Sequence, residues 1–186
     1  MNAIRRVQRP TATLPVLHLE RAVPKRARWR LEIDGAVARP GSVSIAEIRA
    51  MPLVERIWDL HCVWGWSRPG CRWRGVPLET VLRHTDVLPH AGYAVVSAVD
   101  SAYASCLSAA ELRASLIALE LDGKPLARDH GGPMRLVPPP SKWAYKGVKW
   151  LARITFVERF TPGAWETLVG NPRGDVPAEM LDLKEE

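Results

Sequence analysis

Between positions 29 and 157 the apolar residues recur in short bursts, and their period switches repeatedly between two and three-to-four. Trp29, Leu31 and Ile33 alternate with polar neighbours and run into Asp34-Gly35, the pattern of a strand with one buried face that ends in a turn. Ser44 and Glu47 are spaced as a capping box, and Ile45, Ile48 and Met51 share one helical face, so a short helix is expected there, stopped by Pro52. Residues 54–60 alternate again, as a strand that delivers Cys62 at its end. Pro77 can open a short helix through Leu78, Val81 and Leu82, because a proline is tolerated in the first turn. Residues 93–99 read as a buried strand, and Ser108 with Glu111 repeats the capping-box spacing across Leu112. Another strand over 116–121 turns at Asp122-Gly123. A strand from near Met134 is cut off after Val137 by Pro138, Pro139 and Pro140, and 150–157 is the last. Helices this short cannot be the crossovers of a doubly wound sheet. The expected fold class is therefore α+β, mixed and rich in β.

The ends read differently. Residues 1–28 hold Pro10, Pro15 and Pro24, seven Lys or Arg and one acidic residue, Glu20, which predicts an extended basic arm. The domain then spans 29–186. From about 163 a tail with six acidic side chains is expected to wrap over its body.

At 186 residues the chain has the length of one domain, able to bury a core without a metal or disulfide for folding. Hydrophobic content of 47% and charged content of 25% are ordinary, whereas 16 prolines and 8 tryptophans are not. The net charge of +6 raises nucleic acid as a partner, but the cations form no run and no zinc-finger or RNA-binding motif accompanies them. A small anionic ligand fits the same charge, and nucleic acid is not expected. Three cysteines leave one unpaired whatever the pairing, and none stands in a zinc-ligand spacing. Arg5-Arg6 is followed by no apolar stretch, and no segment reaches transmembrane length, so the default expectation is a cytoplasmic protein with no membrane span.

Two stretches concentrate the chemistry. The first, DLHCVWGWSRPGCRWRGVPL at 59–78, puts Cys62 beside Trp64, Trp66 and Trp73, with Gly65, Gly70 and Gly75 and the cations Arg68, Arg72 and Arg74 between them. Tryptophans and arginines together suggest a lined pocket in which the arginines steer an anion, although surface solvation is the commoner role for any single one of them. Taken alone, a free cysteine such as Cys62 is more commonly a small buried apolar side chain. The second, HGGPMRLVPPPSKWAYKGVK at 130–149, combines Arg135 at the start of an apolar strand with Lys142, Lys146 and Lys149 and a backbone opened by Gly147. Such a set could cradle a phosphate. A turn with solvated lysines is the plainer reading.

The ordered pair HCVWGWS and HGGPMRLV…YKGVKWLARI, with WRGVPL and GAWE in register, resembles the sulfite oxidase family of molybdopterin-dependent oxidoreductases. The resemblance implies the sulfite-oxidase-type molybdopterin-binding fold and molybdopterin carrying molybdenum. By the same resemblance Cys62 is the metal ligand and catalytic residue. His61, Ser97, His130, Arg135, Gly147, Val148 and Lys149 are implied to line or grip the pterin. The implied activity is two-electron, oxygen-atom-transfer redox chemistry on a small substrate, with electrons exchanged through a separate protein.

The sequence departs from the family in three places. Gly147 stands where a serine is usual, the triple proline adds a residue before it, and Asn171-Pro172 stands where an active-site tyrosine is expected. These departures point away from sulfite as substrate. They also motivate the rival reading, a non-catalytic module of the same fold that binds an anionic ligand or a protein partner.

Overall fold

The computed structural model describes residues 8–16, 29–83, 85–99 and 103–181. The strands are β1 (Arg9–Pro10), β2 (Arg30–Gly35), β3 (Gly41–Ser44), β4 (Val54–Cys62), β5 (Trp66–Pro77), β6 (Tyr93–Ala98), β7 (Ala104–Ser108), β8 (Leu116–Leu121), β9 (Lys124–Pro125), β10 (Arg135–Val137) and β11 (Leu151–Val157). The helices are short: α1 (Ile45–Ala50), α2 (Leu78–Leu82), α3 (Ala109–Arg113), α4 (Ala164–Val169) and α5 (Ala178–Leu181), with single 3-10 turns at Arg128–His130 and Ala144–Lys146. The α+β, β-rich expectation holds.

Local chemistry accounts for most of these elements. Both expected capping boxes form: Ser44 and Ser108 accept from the backbone N–H of Glu47 and Glu111, whose carboxylates return to the cap N–H. Asp122 and Gly123 both take positive φ, 52° and 77°, the two-residue turn that matches the twist of a hairpin, here between β8 and β9. Pro77 caps α2 rather than entering its first turn.

The strands make two sheets. The larger has six strands, ordered β4–β5–β8–β10, with β1 added parallel to the Trp66 end of β5 and β9 beside β8. The smaller has five, β3–β2–β11–β6–β7, with β11 central, parallel to β2 and antiparallel to β6. Leu31, Ile33, Val96, Ile154 and Phe156 of the smaller sheet join Val76, Ile117 and Leu136 of the larger in one core. Successive side chains of a strand point to opposite faces. Cys71, Trp73, Leu116, Ala118 and Val137 accordingly form a second buried cluster on the other face of the larger sheet.

The sequence pattern did not announce β3, β5 or β7. The segment read as a pocket loop is the twelve-residue strand β5. Cys71, Trp73 and Gly75 are buried there, while Arg72 and Arg74 point outward. The arm is partly docked. Residues 9–10 pair with β5, and Leu14 packs against the second cluster; residues 1–7 and 17–28 of the expected arm lie outside the described residues. No helix among the described residues is long and apolar enough to cross a membrane.

Candidate cofactor and substrate cavity

Cys62 is the last residue of β4, where the hairpin to β5 turns through Gly65 at φ 85°. Its thiol is 6% exposed and lines a cavity of about 120 Å³. Val63, Trp64 and Trp66 of the same hairpin form one wall. Arg135 and the segment carrying Ala144, Tyr145, Gly147, Lys149 and Trp150 form another. Leu14, Pro15, Leu60, Tyr103 and Trp165 complete the lining. The expected thiol, guanidinium, glycine and lysine therefore meet, although Cys62 and Lys149 are far apart in sequence.

Burial pushes the Cys62 thiol above its ordinary pKa, opposed by a hydrogen bond from the Trp64 backbone N–H. Arg135 is fully enclosed: burial pulls its pKa down to about 10, and it remains a cation at neutral pH. One of its terminal nitrogens donates to the carbonyl of His130 at 3.1 Å, and the guanidinium lies 5.2 Å from the ring centroid of Trp73. Its Nε is buried without a hydrogen-bond partner. A buried cation bonded on one side only is costly unless something anionic or accepting completes its shell.

Behind Cys62 runs a polar chain. Ser67 Oγ donates to Gln8 Oε1 at 3.0 Å and lies 2.7 Å from His61 Nδ1, while Gln8 Nε2 donates to the Cys62 carbonyl at 3.3 Å. His61 is buried, and burial lowers its pKa against the opposing charge of Asp59. It does not line the cavity. Neither do His130, which contributes its carbonyl to Arg135, nor Val148, whose N–H and carbonyl both pair with Leu136. Ser97 sits in the β6 ladder between Arg153 and Ala104, also off the cavity wall. Gly147 does line it, but its N–H donates to the Ala144 carbonyl at 3.1 Å.

Several cations expected at an anion site are spent elsewhere. Arg68, Arg72 and Arg74 pair with Asp122, Glu55 and Glu120, and none lines the cavity. That corrects the reading of them as substrate-steering groups. Lys142 is held between Glu111 and Asp175, and Lys146 is fully buried against Glu166. Sequence reasoning missed Tyr103, Tyr145 and Trp165 as lining residues. Tyr145, which opens YKGVKWLARI, and Trp165, inside GAWE, fall in the quoted motifs, whereas Tyr103 carried no signal. Among the described residues no three His, Cys, Asp or Glu side chains gather as a metal cage.

The model of a family described as the oxidoreductase molybdopterin binding domain matches residues 18–165. The uncharacterized oxidoreductase YuiH of Bacillus subtilis (strain 168) is 35% identical over 173 residues, covering 90% of this chain and 86% of that protein. The protein-methionine-sulfoxide reductase catalytic subunit MsrP of Xanthomonas campestris pv. campestris is 32% identical over 161 residues, covering 77% of this chain and 49% of that one. The sulfane dehydrogenase SoxCD from Paracoccus pantotrophus shares the fold, with a TM-score of 0.69 at 20% identity, over 75% of this chain and 41% of that chain. The chain thus spans about half the length of the MsrP subunit and less of the SoxCD chain. With a thiol and a buried arginine facing one cavity in a fold of this type, the chain belongs to the molybdopterin-binding oxidoreductases of the sulfite oxidase family.

Proposed function

We propose that this oxidoreductase carries out two-electron, oxygen-atom-transfer chemistry on a small substrate at the Cys62 cavity, and that a separate protein delivers or removes the electrons. The observation that carries the reading is the meeting of the Cys62 thiol and the incompletely bonded Arg135 guanidinium in one aromatic cavity.

The residues present fit molybdopterin. Among the described residues the cavity offers one soft ligand, Cys62, and no cage, which suits a metal that arrives with an organic ligand of its own. When bound, the group supplies the two-electron redox chemistry. Cys62 would ligate the metal as a thiolate. Because burial holds the free thiol neutral, loading releases its proton. Arg135, its Nε unmatched, and Lys149 would hold the anionic end of the group. Gly147 contributes wall shape, and Val148 fixes that wall to β10. Gln8, Ser67 and His61 anchor the strand end that presents the sulfur. The name of the Xanthomonas relative, a catalytic subunit reducing protein methionine sulfoxide, supports both an electron-carrying partner and sulfoxides as the first substrate class to test.

Protein made in molybdopterin-competent cells is expected to hold near-stoichiometric molybdenum by elemental analysis. Cys62→Ser should abolish turnover while leaving the melting temperature little changed, and Arg135→Ala should lower the retained pterin more than it lowers stability. Well-folded protein without metal would favour the non-catalytic module, and normal turnover by Cys62→Ser would overturn the mechanism.

A further inference from the structure

At its mouth the cavity offers aromatic rings rather than charge. Trp64 crowns the turn between β4 and β5, two residues after Cys62, and is 57% exposed. Trp165 of α4 reaches the same cavity, and the two indoles lie 6.3 Å apart between centroids with planes 14° from parallel. The fold does not require Trp64. It belongs to none of the three hydrophobic clusters, and the turn it rides on is provided by Gly65 at φ 85°. An exposed ring of this size beside a candidate metal ligand calls for a functional reason.

The nearby charges narrow what the mouth can accept. The three arginines of the hairpin are committed to Asp122, Glu55 and Glu120 outside the cavity. The two cations that line the cavity, Arg135 and Lys149, are assigned above to the cofactor. An indole face carries partial negative charge. It repels a small oxyanion, attracts the positively polarised sulfur and methyl groups of a sulfoxide, and stacks on an aryl ring.

We propose that Trp64 and Trp165 form the substrate-selecting site of this enzyme, favouring neutral oxygen-atom donors that carry an apolar, above all aromatic, substituent over small inorganic oxyanions. The inference rests on the oxygen-atom-transfer reading and names the substrate class for it.

The test uses the molybdenum-loaded protein with reduced benzyl viologen as electron donor. Each turnover cleaves one S=O bond. Two viologen radicals give one electron each, two protons are taken up, and the products are sulfide and water. The wild type should turn over methyl phenyl sulfoxide with a higher kcat/KM than dimethyl sulfoxide. In Trp64→Ala the aryl-to-alkyl ratio of kcat/KM should fall about tenfold, carried by KM, and Trp64→Phe should retain most of it. Binding of methyl phenyl sulfone, an unreactive shape mimic, measured by isothermal titration calorimetry, should weaken in parallel.

An unchanged ratio and unchanged sulfone affinity in Trp64→Ala would overturn the inference. So would oxidation of sulfite, with a chemical electron acceptor, at a far higher kcat/KM than either sulfoxide is reduced. Failure of the parent reading looks different: no molybdenum, or no turnover of any substrate by wild type. The sulfone titration still decides the role of Trp64 in that case.

Discussion

A Cβ placed on Gly147 would sit 2.9 Å from the Leu136 carbonyl oxygen, 3.2 Å from that of Ala144 and 3.2 Å from Pro138 Cδ. Its φ of −79° is open to any residue, so the demand for glycine is steric and comes mainly from backbone. Gly147→Ala is expected to cost about 1–3 kcal/mol in urea denaturation, as overpacking of a closed site does. The triple proline adds to this crowding without being its main source. Pro138 stands against the space a larger residue would need. Single residues explain how much of the site was legible. Cys62 and Arg135 stood out because a thiol among tryptophans and a lone arginine opening an apolar strand have few structural uses. Tyr103 did not, since nothing in its neighbours marks a side chain brought in by tertiary packing. Lys142 and Lys146 were misread because a lysine run looks solvated or anion-binding until its carboxylates, distant in sequence, are placed beside it.

At the level of elements, β5 is the instructive miss. Its glycines, Pro69 and arginines resemble a loop, yet buried Cys71 and Trp73 alternate with outward Arg72 and Arg74 in strict period two. The outward arginines form exposed pairs, and Arg72→Ala and Arg74→Ala should each change stability by less than about 1 kcal/mol and leave KM for any substrate unchanged. The contact between α3 and the C-terminal segment is more consequential. There Lys142 joins Glu111 and Asp175. Burial opposes ionisation of Glu111, but bonds from Lys142 and the Ser108 cap outweigh it and hold the carboxyl below its ordinary 4.5. A carboxyl depressed in the folded state stabilises above its unfolded pKa and loses that contribution as pH falls through the folded value. The melting-temperature loss in Glu111→Gln should thus be full at pH 7 and shrink steadily below pH 4.5. A loss that is constant with pH would show that the charge is not what stabilises this contact.

Across the whole molecule, the two-sheet layout follows from the alternating bursts, but the closure of the domain by its tail does not. The family match ends at residue 165, and the next residue, Glu166, is fully buried. Its carboxylate accepts from Lys146 Nζ, from Ser105 Oγ at 2.8 Å, and from the N–H groups of Cys106 at 3.0 Å and Gly163 at 2.7 Å. That set ties the cavity wall at Ala144–Lys146 to β7 and α4. Removing one charge strands the other, and Glu166→Ala is expected to destabilise by about 3–5 kcal/mol by chemical denaturation. Converting Lys146 to Met in the same protein should recover part of that loss. The start of the expected tail is therefore anchored in the domain through Glu166.

The docked N-terminal segment carries a consequence for biogenesis. Residues 9–11 zip onto β5 through Arg9 and Thr11, Gln8 clasps the backbone of Cys62, and Leu14 and Pro15 roof the chamber. Because this segment lines the chamber, a prosthetic group as large as a pterin is expected to seat more readily before that zipper fastens. Loading is therefore expected to come first and sealing afterwards, and the Arg9 and Thr11 amide hydrogens, bonded to the Gly65 and Ser67 carbonyls, should exchange with solvent faster in cofactor-free chains than in loaded ones.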